Sequence, residues 1–176
     1  MGRRQGPKRM RLERRVAFDV PTRLACEEAK AFVRDVPRTL ADAEFLTRVD
    51  VDEHGVVTAL LPVNAALFGH HHLRFRSQLV VTEHGARLDG LELDDRPGWA
   101  RVDGVASVAE HDGGNHLHYV FDIEIHLQLP EAERWGGRAL LKMIEVTADQ
   151  VLRRVTEQFP VALTSAARAY EADRAA

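Results

Sequence analysis

Nine histidines are the residues of this chain best suited to chemistry, because imidazole ligates zinc, nickel or copper and exchanges protons near neutral pH. His70, His71 and His72 are consecutive, but neighbouring strand residues point to opposite faces, so at most His70 and His72 could share a ligand. His116, His118 and His126 could join them only if two distant strands lay side by side. His54, His84 and His111 fall at hairpin-type turns, which are solvated positions, so no metal is expected. Cys26 stands beside Glu27 and Glu28, whose charge raises a thiol pKa, and it reads as a structural thiol. Ser77 has no base nearby and no G-x-S-x-G around it; it is either a polar contact inside a cavity or a satisfied core hydroxyl. Tyr119 and Trp99 remain. Tyr119 could orient a ligand or move a proton, or rest with its ring in the core and its hydroxyl at the rim. The pairs Gly113-Gly114 and Gly136-Gly137 lack the strand-to-helix setting of a phosphate loop. No catalytic residue and no cofactor is expected.

The elements that must position these side chains follow from periodicity. Arg15 to Val20 alternates as a first strand that Pro21 ends, and Leu24, Ala25, Ala29, Phe32, Val33 and Val36 make a helical stripe behind Thr22. Pro37 interrupts that helix, leaving a short helical turn over 38–42. From Glu44 the period becomes two. Strand-like runs cover 45–52, 56–63, 70–82, 86–93, 99–110 and 116–129, separated by turn signals such as DEHG, EHG and HDGGN. Such short connections suit antiparallel pairing, since parallel strands need crossovers of about a dozen residues or more. Glu131 to Phe159 then reads as one long amphipathic helix, with Leu140, Leu141, Ile144, Val151, Leu152, Val155 and Phe159 on its apolar stripe. Pro160 is expected to break it.

One face of the last strand carries Leu117, Tyr119, Phe121, Ile123, Ile125, Leu127 and Leu129, and the other His116, His118, Asp122, Glu124 and His126; only Val120 departs from the alternation. In the strand from His70, Leu73, Phe75, Ser77, Leu79 and Val81 share a face. The pattern is thus α+β: a strand, one or two short helices, six strands, and a long helix that the sheet curls around.

The order of elements, the segment CEEAKAFVRDVPRTLADAEFLTRVDVD and the closing GGRALLKMIEVTADQVLRRVTEQFPVAL resemble the START-type helix-grip superfamily, also called SRPBCC. The resemblance covers about residues 14 to 165 and rests on architecture. It implies a curved seven-stranded antiparallel sheet gripping the C-terminal helix, with an apolar cavity between them that holds a hydrophobic ligand in many members. Its bacterial members include polyketide cyclases and aromatases, coenzyme-Q-binding proteins and a carbon monoxide dehydrogenase accessory group. On that basis the expected function is non-catalytic binding of a lipid, quinone or polyketide-like molecule. The expected wall is Leu73, Phe75, Ser77, Leu79, Trp99, Tyr119, Phe121 and Ile123 from the sheet, and Leu140, Met143, Ile144, Thr147 and Val151 from the helix. A cyclase or aromatase is the enzymatic alternative, for which inward-facing acids and bases are wanting.

The chain has 176 residues, 45% hydrophobic and 29% charged, as in an ordinary globular domain, and no apolar run approaches the roughly 20 residues of a membrane span. A cytoplasmic location is expected. One cysteine excludes an intrachain disulfide. Residues 1 to 15 hold Arg3, Arg4, Lys8, Arg9, Arg11, Arg14 and Arg15 against Glu13, a net +6, while the whole chain is −3, so the remainder carries −9. Residues 1–13 are therefore expected as a flexible basic tail, 14–165 as the domain and 166–176 as an Ala-rich tail. The basic segment is a solvated leader, an extension upstream of Met10, or a contact to nucleic acid or an anionic membrane.

Overall fold

In a computed structural model describing residues 9–65, 69–93, 97–129 and 137–176, the elements run β1 (Arg9–Thr22), α1 (Cys26–Arg34), α2 (Val36–Thr39), β2 (Thr47–Val51), β3 (Val56–Ala65), β4 (Gly69–Thr82), β5 (Gly85–Gly90), β6 (Gly98–His111), β7 (Gly114–Gln128) and α3 (Gly137–Ala175). The strands form one seven-stranded sheet in the order β1-β7-β6-β5-β4-β3-β2, with antiparallel neighbours throughout. A single parallel bridge, Arg74 to Trp99, joins β4 to β6 at a level β5 does not reach. This is the α+β helix-grip arrangement.

Local chemistry makes the turns where the sequence signals them. At the β2–β3 turn the Asp52 carboxylate accepts the amides of His54 and Val56 at 2.9 Å each, and Gly55 takes φ +76°. The Val56 amide, seconded by His54, holds the Asp52 carboxyl below its ordinary pKa. At the start of α1, the Thr22 hydroxyl accepts the Leu24 amide at 3.1 Å and Glu28 Oε2 accepts the Ala25 amide at 3.3 Å.

Two expected boundaries move. β1 begins at Arg9, so 9–13 are paired strand rather than flexible tail: Met10 stands opposite Leu127 and Leu12 opposite Ile125. Pro21 lies within the strand instead of ending it. β1 is an edge strand, so a residue without an N–H can sit in it without breaking a central ladder. Residues 1–8, with Arg3, Arg4 and Lys8, lie outside the described residues.

The second correction concerns α3, which runs unbroken through Pro160 to Ala175. An interior proline costs about 3 kcal/mol in a helix. Beyond it Ala162, Leu163, Ala166, Ala167 and Tyr170 are all buried, and their packing offsets that cost. Polar ties hold the same end: Glu171 accepts the Thr22 hydroxyl at 2.6 Å and the Arg23 amide at 2.9 Å, Ser165 donates to Asp42 at 2.6 Å, and Arg174 pairs with Glu28 at 2.7 Å. Residues 166–175 are part of the helix, not a fraying tail. Residues 131–136, expected as its first turns, lie outside the described residues.

The core sits between the inner face of the sheet and one stripe of α3. Leu117, Tyr119, Phe121, Ile123 and Ile125 of β7 are buried against a cluster that includes Leu152, Val155, Phe159 and Leu163. Gly104 faces Phe121 across the strands, and a methyl group there would lie 2.6 Å from the ring, so glycine makes room for the aromatic. Along α3 the buried positions begin at Ala148; between Gly137 and Thr147 no residue is buried. The helix is therefore anchored over its last two-thirds and stands off the sheet over its first third.

Candidate functional site

Where the helix stands off, a cavity of about 500 Å³ opens beneath it. Ile144, Thr147, Ala148 and Val151 form the helical wall, spaced three and four apart so that they share one side of α3. Opposite them lie Ile125, Leu127, Gln128 and Leu129 at the end of β7, Pro97 and Gly98 at the start of β6, Leu73 and His72 of β4, and Val63 of β3. The wall is apolar apart from Gln128, Thr147 and His72, and among the described residues it contains no Asp, Glu, Lys or Arg. Gly98 shapes the floor: a Cβ there would lie 3.0 Å from Leu73 and 3.2 Å from Leu127. The helix is tied above the cavity by an ion pair from Arg14 of β1 to Asp149, to which Arg153 also donates at 3.4 Å.

Of the residues the sequence proposes for the wall, Leu73, Ile144, Thr147 and Val151 line this cavity. Leu140 and Met143 stand on the first turns of α3 outside the lining, Met143 48% exposed. Ile123 is buried and lines neither this cavity nor a second, smaller space of about 40 Å³, which is bounded by Phe75, Leu79, Tyr119 and Phe121 of the sheet and by Val33, Val36, Thr39 and Leu40 of α1, α2 and the residue after it. Ser77 is a satisfied core hydroxyl, fully buried and donating to the Val102 carbonyl at 2.7 Å.

Trp99 is not inward-facing. It lies opposite His126 on the outer face of the sheet, the two rings stacked with centroids 4.1 Å apart. Residues missed by the sequence reading are Val63, His72, Pro97, Gly98, Ile125, Leu127, Gln128, Leu129 and Ala148. The alternation of β7 does place Leu127 and Leu129 on the inner face. Which end of that face is uncovered depends on how the helix crosses the sheet.

The histidines do other work. His118 Nδ1 lies 2.6 Å from Asp19 and His126 Nε2 3.0 Å from Glu124, while His54, His84 and His111 are exposed at turns. Among the described residues no three potential metal ligands converge; the side chains of His70 and His71 lie outside them. Cys26 opens α1 half-buried and free. Among the described residues no helix is long and apolar enough to cross a membrane.

A family profile described as "Protein of unknown function (DUF3809)" matches residues 17–157. The chain belongs to this family. No curated protein matches it in sequence. Among solved structures, the DUF3809 chain is similar to TTHA0849 from Thermus thermophilus, with TM-score 0.56 and 16% identity over 90% of this chain and 98% of the other. It is also similar to the Zhui aromatase/cyclase from Streptomyces sp. R1128, with TM-score 0.50 and 14% identity over 92% and 95%. The di-domain ARO/CYC StfQ from the steffimycin biosynthetic pathway matches with TM-score 0.50 and 13% identity over 93% of this chain and 52% of that one. At these identities the likeness is one of fold.

Proposed function

We propose that this DUF3809 protein binds a hydrophobic small molecule between its sheet and the first third of α3, and holds it without transforming it. The observation that carries this reading is the cavity of about 500 Å³ with an apolar wall and three polar side chains, Gln128, Thr147 and His72. That volume and lining fall within the range of small-molecule sites, roughly 300–1,000 Å³ and mostly apolar with a few polar groups. A wall whose one ionisable side chain is the exposed His72 suits a neutral guest, because a charged group deeper in would be desolvated with nothing to pair with. The ligand class is a neutral lipid, quinone or polyketide-like molecule, in keeping with the chain's resemblance to the SRPBCC superfamily. Residues Leu73, Ile125, Leu127, Ile144, Thr147 and Val151 form its contact surface.

The test is a titration with Nile red, a neutral apolar fluorophore, on the wild type and on Thr147→Trp. Thr147 is half-exposed on the helix, so an indole projects into open space rather than into packed core. The wild type should bind saturably, and the variant should bind at least about tenfold more weakly at unchanged stability, the effect of about 1.4 kcal/mol. Equal binding by both proteins would remove the cavity from consideration.

A further inference from the structure

Among the described residues two buried side-chain polar atoms lack a hydrogen-bond partner, Nε of Arg74 and the hydroxyl of Tyr119, and of these Tyr119 belongs to the core cluster. The side chain is 2% exposed and its oxygen has no hydrogen-bond partner among the described residues. Burial pushes the phenol well above its ordinary pKa, so it stays protonated and keeps a proton to donate. A buried donor left unpaired loses its hydration without replacement, and groups of this kind are uncommon enough to need a reason. Tyr119 lines the small space of about 40 Å³ together with Phe75, Val102, Phe121 and Phe159, and with Val33, Val36 and Leu40 on its α1–α2 side. A single water fits a space of that size, but a bound water makes about three hydrogen bonds; the rest of the lining is apolar except for Thr39, whose hydroxyl donates to the Phe32 carbonyl at 2.7 Å, and Arg87, whose guanidinium pairs with Asp89.

The small space and the large cavity lie end to end along one inner face. On β4, Leu73 lines the cavity and Phe75, the next inward residue, lines the small space. On β6 the pair is Gly98 and Val102, on β7 Ile125 and Phe121, and on α3 Val151 and Phe159. Between these pairs along their elements stand Ala100, Ile123, Leu152 and Val155, all buried aliphatics that line neither space. From Ile125 to Tyr119 is six strand residues, about 20 Å.

We propose that the space beside Tyr119 is the inner subsite of the ligand cavity. There the phenol donates a hydrogen bond to a neutral carbonyl at the leading end of an elongated apolar ligand, whose body fills the outer cavity. This rests on the binding reading above and sharpens it: the ligand carries an uncharged oxygen acceptor at one end and passes between Ile123 and Val155. Tyr119 is a specificity residue, and a hydrocarbon of the same length gains nothing from it.

The experiment compares 2-heptadecanone with heptadecane as competitors of Nile red, on the wild type and on Tyr119→Phe. Removing the hydroxyl should weaken the ketone roughly fivefold, the size of one neutral hydrogen bond, and leave the alkane within about twofold. Comparing each competitor with itself across the two proteins cancels its own transfer from water. The variant should melt at the wild-type temperature or above it, because an unpaired polar atom has been removed from the core. If both competitors weaken equally, or neither changes, the subsite is refuted while the outer cavity stands. A clear fall in melting temperature would mean that the hydroxyl is already partnered in the free protein, and would refute it as well. If neither compound displaces Nile red, the binding reading fails and takes the subsite with it.

Discussion

Gly104→Ala is the sharpest probe of how sheet and helix are coupled. The added methyl group would stand 2.6 Å from Phe121 Cδ1 and 2.8 Å from Cε1, where ordinary contact begins at 3.4 Å, so the ring must give by about 0.8 Å. It has little room. Phe121 stacks on Phe159 of α3 at 4.7 Å between centroids and on Tyr119 at 5.9 Å, and Phe159 in turn meets Phe45 at 4.9 Å. The strain is thus handed to the helix through a line of aromatic rings. Overpacking of this kind costs about 1–3 kcal/mol, and the stiffer unfolded chain of alanine returns about 0.4–1 kcal/mol. A net loss on the order of 1–2 kcal/mol lowers the melting temperature by roughly 2–8 °C for a domain of this size. Urea unfolding measures it, together with Phe121→Leu and the double variant. If the clash is with Phe121, the smaller leucine relieves it, and the double variant is more stable than the sum of the single losses by at least about 0.5 kcal/mol. Strict additivity, or a Gly104→Ala protein as stable as the wild type, would refute the reasoning.

Other outcomes follow from the same contacts. Tyr170→Ala removes a buried ring that packs on Phe32 at 5.2 Å and lies under Arg38 and Arg174; it should cost about 3 kcal/mol in urea unfolding, showing that 166–175 belong to the cooperative unit. Pro160→Ala restores the amide that proline lacks within α3 and should stabilise the protein by about 1–3 kcal/mol, read from the same melts. Asp52 has its carboxyl pKa lowered by the Val56 and His54 amides, so its contribution to stability is full above the ordinary value of 3.8 and disappears as pH falls through the lowered one. Asp52→Ala should therefore be less stable than the wild type at pH 6, with the gap closing in thermal melts as pH falls below 3.8.

Much of the fold is legible in the residues one after another. The alternation of Leu117 through Ile125 against His116 through Glu124 sets which side of β7 is buried, because strand side chains point to opposite faces whatever the partners are. Even Val120, the one apolar residue on the outer set, keeps its place there, opposite Ala17 on one side and Val105 on the other. Short turns such as Asp52–Gly55 carry their own hydrogen bonds, so they too are readable locally. Arg9–Glu13 reads as tail because its charges dominate, and the strand it pairs with lies more than a hundred residues downstream. Pro160 reads as a stop because its penalty is local, while the burial of Leu163, Ala167 and Tyr170 that offsets it is not.

The candidate site divides along the same line. Sequence alone determined that Leu73, Ile144, Thr147 and Val151 belong to facing apolar surfaces of a sheet and a helix, since each surface is set by a period of two or of 3.6 residues. Only the tertiary structure decided that these surfaces part at Ile125 to Leu129 and close at Phe121, that Trp99 belongs to the outer face, and that the Tyr119 hydroxyl has no partner among the described residues. A cavity is the gap between two packed surfaces. Its place depends on the line the helix takes across the sheet and on volumes such as the missing side chain of Gly104, and neither is a property of any one segment.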